Sequence, residues 1–310
     1  MDRRSRVLVA DMAPRHLVLR AHEGRFFVPA PFEGSSAGFR RRLAVDGDGG
    51  SVHMGFATAE LDGGGTVPWH VHSFEESVFV LDGELVCETE DGAFLLRSGD
   101  YGIIGVGATH AWRNPGGDTA RWAEMFAPQP RPSADDTFPV AARRAAQAPS
   151  AIDPRDPRTR SFGHIDPANM DPAKQTQDLL AESASMRTAL LVYSGISVKM
   201  MVDSDLGADL LTMFMVQYEP GGAAGAHDHP LEEAYLILEG GVDAVFEGQQ
   251  YRLEAGDVAW AGVGCAHQFS NPGDRIVRWL ETQAPQPPSR HSYRFARDWD
   301  YLRASLDREQ

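Results

Sequence analysis

The chain has 310 residues, a formal net charge of −15 at pH 7 and no apolar stretch long enough to span a membrane. This acidic balance argues against binding to nucleic acid or to an anionic membrane, because both surfaces require clustered lysine and arginine. The basic start, Met1 to Arg6, is followed by too few apolar residues for a signal-peptide core, and the two cysteines, Cys87 and Cys265, predict no disulfide framework. We therefore expect a cytoplasmic protein.

In chain order, the sequence predicts many short strands separated by tight turns. The length leaves room for two domains of about 100 to 150 residues each, and the 31 glycines fit the turns of an all-β chain. The clearest strand-like runs are bounded by Gly or Asp-Gly. They are Ser77 to Leu81, Ala234 to Leu238 and Val258 to Trp260.

Other segments are predicted to connect or cover these strands. The basic run Arg40-Arg41-Arg42 is interpreted as a solvated strand edge in preference to an anion site. Residues 128–175 are rich in proline, which favours an extended surface linker. Short helices are predicted at Val140 to Gln147 and at Thr176 to Ser185. Apolar residues at helical spacing from Phe295 to Leu306 predict a further helix that covers apolar surface.

One pattern of glycine, histidine and glutamate occurs twice, and each member is offset by 157 residues, as from His70 to His227. The same register continues without a gap outside the pattern, which indicates a duplicated domain. We expect domains at 1–130 and 186–310 joined by a linker at 131–185, with strand exchange between their edges allowed. The two copies are Gly64, His70, His72, Glu76, Gly83, Gly99, Gly107, His110, Asn114 and Gly221, His227, His229, Glu233, Gly240, Gly256, Gly264, His267, Asn271.

Each copy carries the residue types of an open metal site. In His70-x-His72-x3-Glu76 an extended backbone directs side chains two apart to one face, and His110 adds a third imidazole from elsewhere. Three histidines and one glutamate suit manganese, iron, nickel, copper or zinc and leave positions for water or substrate, whereas a structural zinc site closes with four ligands that usually include thiolates.

A lone histidine on a strand is more often an ordinary polar residue than a ligand. Six histidines, however, fall at matching positions of the two repeats. We therefore predict one divalent transition metal per copy. The predicted ligands are His70, His72, Glu76 and His110 in the first copy, and His227, His229, Glu233 and His267 in the second.

The run G-x5-H-x-H-x3-E-x6-G, followed after 15 residues by G-x7-G-x2-H-x3-N, resembles the two signature motifs of the cupin superfamily, and its duplication resembles a bicupin. The proline usual in the second motif is replaced by Gly105 and Gly262, which should loosen a turn without touching the ligands. The resemblance covers roughly residues 38–130 and 195–287. It implies an all-β fold of two tandem double-stranded β-helix barrels (RmlC-like jelly rolls), each around a metal, with a few peripheral helices.

Strand alternation predicts what lines each barrel. If the ligand glutamates point inward, then Val78, Val80, Tyr235 and Ile237 do so too, and Trp112 and Phe269 follow the third histidines. An aromatic-walled cavity with a metal at its base is the form expected of a small-molecule site; the alternative for each aromatic residue is ordinary barrel core. Tyr235 belongs to the second copy alone. We take Glu76, Glu233 and Tyr235 as candidate catalytic residues and expect catalysis to depend more on the C-terminal metal.

Three function classes fit these features. The resemblance implies a dioxygenase-type oxidoreductase, as in quercetinase-like bicupins, and the apolar lining favours this class. The first alternative is non-oxidative chemistry at manganese or zinc, such as decarboxylase, isomerase or hydrolase activity. The second is non-catalytic small-molecule binding, as in seed-storage relatives, which usually lose their ligands.

Two specific activities of the family fit less well. Oxalate decarboxylation implies a cationic residue over the metal and an acidic lid, and the sequence places neither. Ureidoglycine aminohydrolase bicupins use a Glu-x-His order and a late Gln, where this chain has His-x-His and a late His. We expect a metal-dependent enzyme whose partner is a small-molecule substrate, without nucleic acid or membrane, and association into a homo-oligomer is left open.

Overall fold

The computed structural model describes residues 14–131, 136–143, 147–171, 187–191 and 195–286, and these form strands almost throughout. The strands of the first part are β1 (His16–Leu19), β2 (Ala37–Val45), β3 (Gly55–His72), β4 (Glu75–Asp82), β5 (Glu84–Thr89), β6 (Ala93–Arg97), β7 (Asp100–Ile104), β8 (His110–Arg113), β9 (Ala120–Ala127), β10 (Thr137–Pro139), β11 (Ser150–Ala151) and β12 (Phe162–His164). Those of the second part are β13 (Arg187–Leu191), β14 (Ile196–Val202), β15 (Thr212–Tyr218), β16 (Ala223–His227), β17 (Glu232–Glu239), β18 (Gly241–Phe246), β19 (Gln249–Glu254), β20 (Val258–Ala261), β21 (His267–Ser270) and β22 (Val277–Ala284).

The all-β prediction is confirmed. In the described ranges, helix is confined to three short 3₁₀ turns, Ala30–Phe32, Pro157–Thr159 and Pro167–Met170, and no helix there has the length and apolar content to cross a membrane. Residues 140–143 and 147 are not helical, and Val140 N–H donates to the Trp69 carbonyl, which extends the pairing of β10 with β3. The helices predicted at 176–185 and from Phe295 to Leu306 lie outside the described residues.

The two halves form barrels with matching strand pairing. In the first barrel His70 faces His110 across β3 and β8, and Glu76 faces Phe126 across β4 and β9. In the second, His227 faces His267 and Glu233 faces Gln283 at the equivalent places. The predicted tandem barrels are thus confirmed, and equivalent residues occupy equivalent positions in both.

The barrels differ in one long strand. β3 continues through a glycine-rich bend at Gly63 and Gly64, so its first part pairs with β9 and its last part with β8. A Cβ at Gly63 would lie 2.3 Å from the Gly117 carbonyl oxygen, and Gly64 has φ +73. In the second barrel Pro220 stands at the position of Gly63, and the strand is divided into β15 and β16. Proline removes a backbone donor, which favours such an interruption.

One segment outside the repeats crosses to the other barrel, as the sequence analysis allowed, and a second segment pairs with the first barrel. β1, near the start of the chain, pairs with β20 of the second barrel, His16 facing Ala261. The proline-rich segment contributes β10, β11 and β12, which pair with β3, β6 and β7 of the first barrel. The described parts of the predicted linker therefore pair with the first barrel and bury Phe162 and Met170 in apolar clusters. The linker itself and the domain limits at 130 and 186 stay predictions.

Each barrel has an apolar interior, and a third cluster joins the two. Strand alternation divides the residues as predicted. Those directed into the interiors include Val78, Val80, Trp112, Tyr235, Ile237 and Phe269. Their neighbours in sequence, such as Phe79 and Leu236, belong to the cluster shared between the barrels. Both cysteines are buried and free.

Candidate metal centres

The first barrel brings its four predicted ligands together at the meeting of three strands. His70 and His72 end β3, Glu76 lies near the start of β4 and His110 begins β8. All four are buried, and the ligand atoms of the three histidines lie within 4.8 Å of one another. Glu76 Oε2 is 3.2 Å from His72 Nε2 and 3.4 Å from His110 Nε2.

Backbone carbonyls orient these imidazoles. The Nδ1 atom of His70 lies 2.8 Å from the Pro68 oxygen, and that of His72 lies 2.6 Å from the Phe74 oxygen. His110 Nδ1 makes the equivalent contact, at 3.1 Å, with the oxygen of residue 108. A carbonyl only accepts, so Nδ1 carries a hydrogen and Nε2 is the ring atom directed at the centre of the group, where it can bind a metal.

The second barrel repeats this arrangement. His227 ends β16, His229 follows two residues later, Glu233 lies on β17 and His267 begins β21. Glu233 Oε2 is 3.3 Å from His229 Nε2 and 3.2 Å from His267 Nε2. The Nδ1 atoms of His227 and His267 again face carbonyl oxygens two residues earlier, at 2.6 and 2.9 Å.

Burial sets the charge of these groups. Burial, together with a neighbouring imidazole, lowers the pKa of His70 to about 3 and that of His227 to about 4, so both rings are neutral near pH 7. Burial also works to raise the pKa of Glu76 and Glu233, but the facing histidine rings outweigh it and hold both pKa values below their usual range. Each group thus combines a carboxylate with at least one neutral imidazole, His70 or His227. At His267 burial works to lower the pKa, but the facing Glu233 outweighs it and raises the pKa.

This donor set fits a metal ion. Within the described part of the chain, His110 Nε2 is enclosed and forms no hydrogen bond, although it points at the same centre as the other ring nitrogens. A buried polar atom without a partner is costly, and a bound cation would satisfy it. The three-histidine group of each barrel therefore implies one divalent transition metal per barrel.

The surroundings of the two carboxylates differ. In the second barrel the Tyr235 hydroxyl donates to Glu233 Oε2 at 2.5 Å and lies 3.1 Å from His267 Nε2. Gln283 Nε2 donates to Glu233 Oε1 at 2.5 Å. Tyr235 is therefore inside the barrel as alternation predicted, and Gln283 is a contact that the sequence analysis missed.

In the first barrel Val78 and Phe126 stand at the positions of Tyr235 and Gln283, and an arginine approaches instead. Arg41 donates from Nε to Glu124 Oε2 at 2.6 Å, and its Nη2 lies 4.0 Å from Glu76 Oε1. The interpretation of Arg40-Arg41-Arg42 as a solvated edge was wrong for Arg41 and Arg42, which are mostly enclosed because they pair with buried carboxylate or carbonyl oxygens.

A second pair of buried glutamates was also missed. Glu124 and Glu281 occupy matching positions on β9 and β22, and each accepts a hydrogen bond from the indole N–H of the tryptophan two residues earlier, at 2.7 and 2.9 Å. Burial raises the pKa of Glu124 to about 7, even beside Arg41, and raises that of Glu281 well above its usual range. The signal was available, since the 157-residue register and strand alternation from the matched tryptophans both include these positions.

A cavity of about 370 Å³ lies beside the first group of ligands. Three residues of its lining each contact one ligand. The Phe32 ring meets His70 edge-on at 4.8 Å, and the Phe74 ring stacks on His72 at 4.2 Å. The third is Arg41, beside Glu76. A single layer of side chains therefore separates this cavity from the ligand atoms.

The matched family model is described as a cupin domain, and it fits this chain twice, at residues 57–126 and 214–282. Solved structures with the same fold include oxalate decarboxylase of Lactobacillus farciminis in complex with formate, which is 16% identical with a TM-score of 0.62 over 91% of this chain and 89% of that one. A variant of Bacillus subtilis oxalate decarboxylase is 14% identical with a TM-score of 0.63 over 94% and 83%. A putative glyoxylate-induced protein of Pseudomonas aeruginosa is 18% identical with a TM-score of 0.62 over 89% and 91%.

Curated relatives match a shorter stretch. Over 92 residues the chain is 32% identical to the HTH-type transcriptional regulator PuuR of Escherichia coli (strain K12), and equally to that of Shigella flexneri. This stretch is 29% of the present chain and 49% of each relative, so the chain spans about half the length of the curated relatives it matches.

Proposed function

This chain belongs to the cupin superfamily, as a bicupin, and from that premise we propose that it is a metal-dependent enzyme acting on a small organic substrate, with the chemistry in its C-terminal barrel. The proposed metal ligands are the eight residues predicted from the repeat: His70, His72, Glu76, His110, His227, His229, Glu233 and His267. The observation that carries the proposal is the Tyr235 hydroxyl, which lies within 3.1 Å of atoms of both Glu233 and His267.

Each group at this site has a role that follows from its contacts. A divalent metal held by His227, His229, His267 and Glu233 would supply a Lewis acid for a substrate oxygen. Gln283 fixes one oxygen of Glu233, so the other is directed to the centre of the site. The Tyr235 phenol is a positioned proton donor beside that centre. Phe269, 4.9 Å from the Tyr235 ring, is a buried wall that excludes water from the proton transfer.

We place the reaction in the non-oxidative class, because a phenol at the ligand atoms serves proton transfer. In a decarboxylation, for example, a carbon–carbon bond breaks, CO2 leaves and the electron pair left on the other fragment takes up a proton. Tyr235 is placed to donate that proton. The oxalate decarboxylases with the same fold lend support, since their names describe such a reaction.

Two other classes have an observation in their favour. The apolar and aromatic interior around Tyr235 favours a dioxygenase with an aromatic or enol substrate. The match to PuuR, a transcriptional regulator, favours non-catalytic ligand binding.

One screen separates the three classes. Protein purified without added metal is analysed for metals and incubated with small keto, hydroxy and dicarboxylic acids and with catechols and flavonols, under argon and under air. Products are followed by NMR, with CO2 and oxygen electrodes. We expect turnover under argon without oxygen uptake. Turnover that requires oxygen would favour the dioxygenase, and tight binding without turnover would favour the regulator-like class.

A further inference from the structure

Each proposed ligand glutamate is preceded by a second buried glutamate whose side chain leaves its own barrel. Strand alternation turns Glu76 and Glu233 inward and therefore turns Glu75 and Glu232 outward. Both outward residues are at most 2% exposed, although they face away from the barrel to which they belong. Their carboxylates must then find partners in the neighbouring barrel.

Glu232 reaches a loop of the first barrel between β2 and β3. Its Oε1 accepts from Val52 N–H at 2.7 Å, and its Oε2 accepts from His53 N–H at 3.1 Å and from the Ser51 hydroxyl at 2.5 Å. In the described part of the chain no lysine or arginine forms an ion pair with Glu232, and its side chain is held by backbone donors and one hydroxyl.

Glu75 makes the reciprocal contact. Its two oxygens accept from Asp209 N–H at 2.7 Å and from Leu210 N–H at 2.8 Å, in the loop of the second barrel between β14 and β15. Asp209 and Leu210 stand 157 residues after Val52 and His53. The same two backbone amides of each repeat therefore hold the same glutamate of the other repeat, which a chance surface contact would not produce.

These contacts sit in the segment that orients two ligands. The Phe74 carbonyl receives His72 Nδ1 at 2.6 Å, Glu75 follows it, and Glu76 comes next. A displacement of Glu75 would shift both the carbonyl that orients His72 and the backbone that carries Glu76. The loop of the second barrel is thus bonded to the chain between two ligands of the first, and Glu232 has the same place between His229 and Glu233.

We propose that Glu75 and Glu232 are positioning residues through which each barrel sets the metal ligands of the other. This inference rests on the ligand assignment of the proposed function. It predicts a crossed effect: a change in a loop of one barrel alters the metal site of the opposite barrel and spares its own.

The crossed effect can be tested by removing one backbone donor at a time. Val52→Pro deletes the N–H that binds Glu232, and Asp209→Pro deletes the one that binds Glu75; both side chains are exposed. Val52→Ala and Asp209→Ala keep the N–H and serve as matched controls. Each change is made in the full-length chain in two backgrounds. His72→Ala removes the first metal site, so that only the second is measured, and His229→Ala removes the second, so that only the first is measured. Co²⁺ affinity and the Co²⁺ absorption spectrum are measured for the remaining site.

We expect Val52→Pro to weaken Co²⁺ binding at the second site by about tenfold or more and to shift its spectrum, with a change under about twofold at the first site. Asp209→Pro should give the mirror image. Glu232→Gln and Glu75→Gln should reproduce these losses, so a proline variant that fails to fold does not decide the matter.

Equal losses at both sites, a larger loss in the mutated barrel, or unchanged Co²⁺ affinity in the glutamine variants would overturn the inference. Absence of Co²⁺ binding before any loop change would instead refute the ligand assignment on which it rests.

Discussion

Position 235 gives the two metal groups different chemistry, because tyrosine there contacts Glu233 and the matching Val78 has no polar atom to offer Glu76. Gln283 and Phe126 differ in the same way. Arg41 makes up part of the difference, since it brings a positive charge near Glu76. Two sites with the same ligand types can therefore perform different tasks, decided by a few side chains around each carboxylate.

The first prediction concerns that asymmetry. Once a turnover assay exists, Tyr235→Phe should lower kcat by about a hundredfold, because a positioned proton donor contributes on that order. Glu233→Ala should also lower kcat by more than Glu76→Ala does. Tyr251→Phe, outside the site, is the control and should leave kcat unchanged. A larger loss in Glu76→Ala would place the chemistry in the first barrel, beside Arg41.

The second prediction concerns metal content. Elemental analysis of the parent protein should approach one metal per barrel, and the pair His72→Ala with His229→Ala should leave almost none, since each change removes a ligand from the centre of its group. Each single variant should retain about half of the parent's metal. A double variant that remained fully loaded would contradict the assignment.

The turns that connect consecutive strands of the second barrel depend on glycine in two distinct ways. Gly221 and Gly240 both have positive φ, at +80 and +73. A Cβ at Gly221 would meet nothing within 4 Å in the described structure, whereas at Gly240 it would lie 2.6 Å from the Ile276 carbonyl oxygen. The motif glycine before β18 is therefore required for space as well as for backbone conformation.

This difference predicts an order of stabilities. Gly221→Ala should lower the free energy of unfolding by about 1 kcal/mol through backbone strain alone. Gly240→Ala should lower it by about 2 to 4 kcal/mol, because overlap with the backbone adds to the strain. Urea unfolding at an unchanged m-value measures both changes. Equal losses in the free energy of unfolding would mean that the Ile276 carbonyl, just before β22, moves aside without cost.

At the scale of the whole molecule, the two barrels share one cluster of buried apolar residues, to which both contribute. It combines Phe79 and Met125 of the first with Leu236, Met213 and Leu280 of the second, all buried. Removal of apolar atoms from this cluster exposes surface of both barrels. The two repeats therefore form separate barrels, but the stability of each depends on its packing against the other.

The fourth prediction follows from that joining. Leu280→Ala should cost about 2 to 5 kcal/mol and should raise amide hydrogen exchange in peptides of β4 and β9 as well as in those of β17 and β22. Val242→Ala, in the interior of the second barrel, is the control and should act mainly on its own barrel. Exchange in β4 and β9 that stayed at the parent level in Leu280→Ala would show that the barrels unfold independently.

The sequence alone determined the duplication, the barrel class and the residue types around each metal. The barrel class is what the resemblance to the cupin signature motifs implies. Spacing carries the duplication and the residue types, through a 157-residue register and an alternation that sends His70, His72 and Glu76 to one face. Tyr235 was predicted inside its barrel for the same reason. Strand alternation and the 157-residue register also apply to Glu124 and Glu281, but these two residues were not predicted.

Only the tertiary structure decided the contacts that join distant strands. In the sequence Arg41 is part of a basic run that suggests exposed surface. In the structure β2 pairs with β3, and this places Arg41 beside Glu124. In the sequence Glu75 and Glu232 look like ordinary exposed acidic residues. In the structure backbone N–H groups from loops of the opposite barrel donate hydrogen bonds to them. β1 has no partner in the local sequence and finds one in β20. The physical reason is common to all three: a side chain's charge and burial depend on which surface folds against it, and no local pattern records that surface.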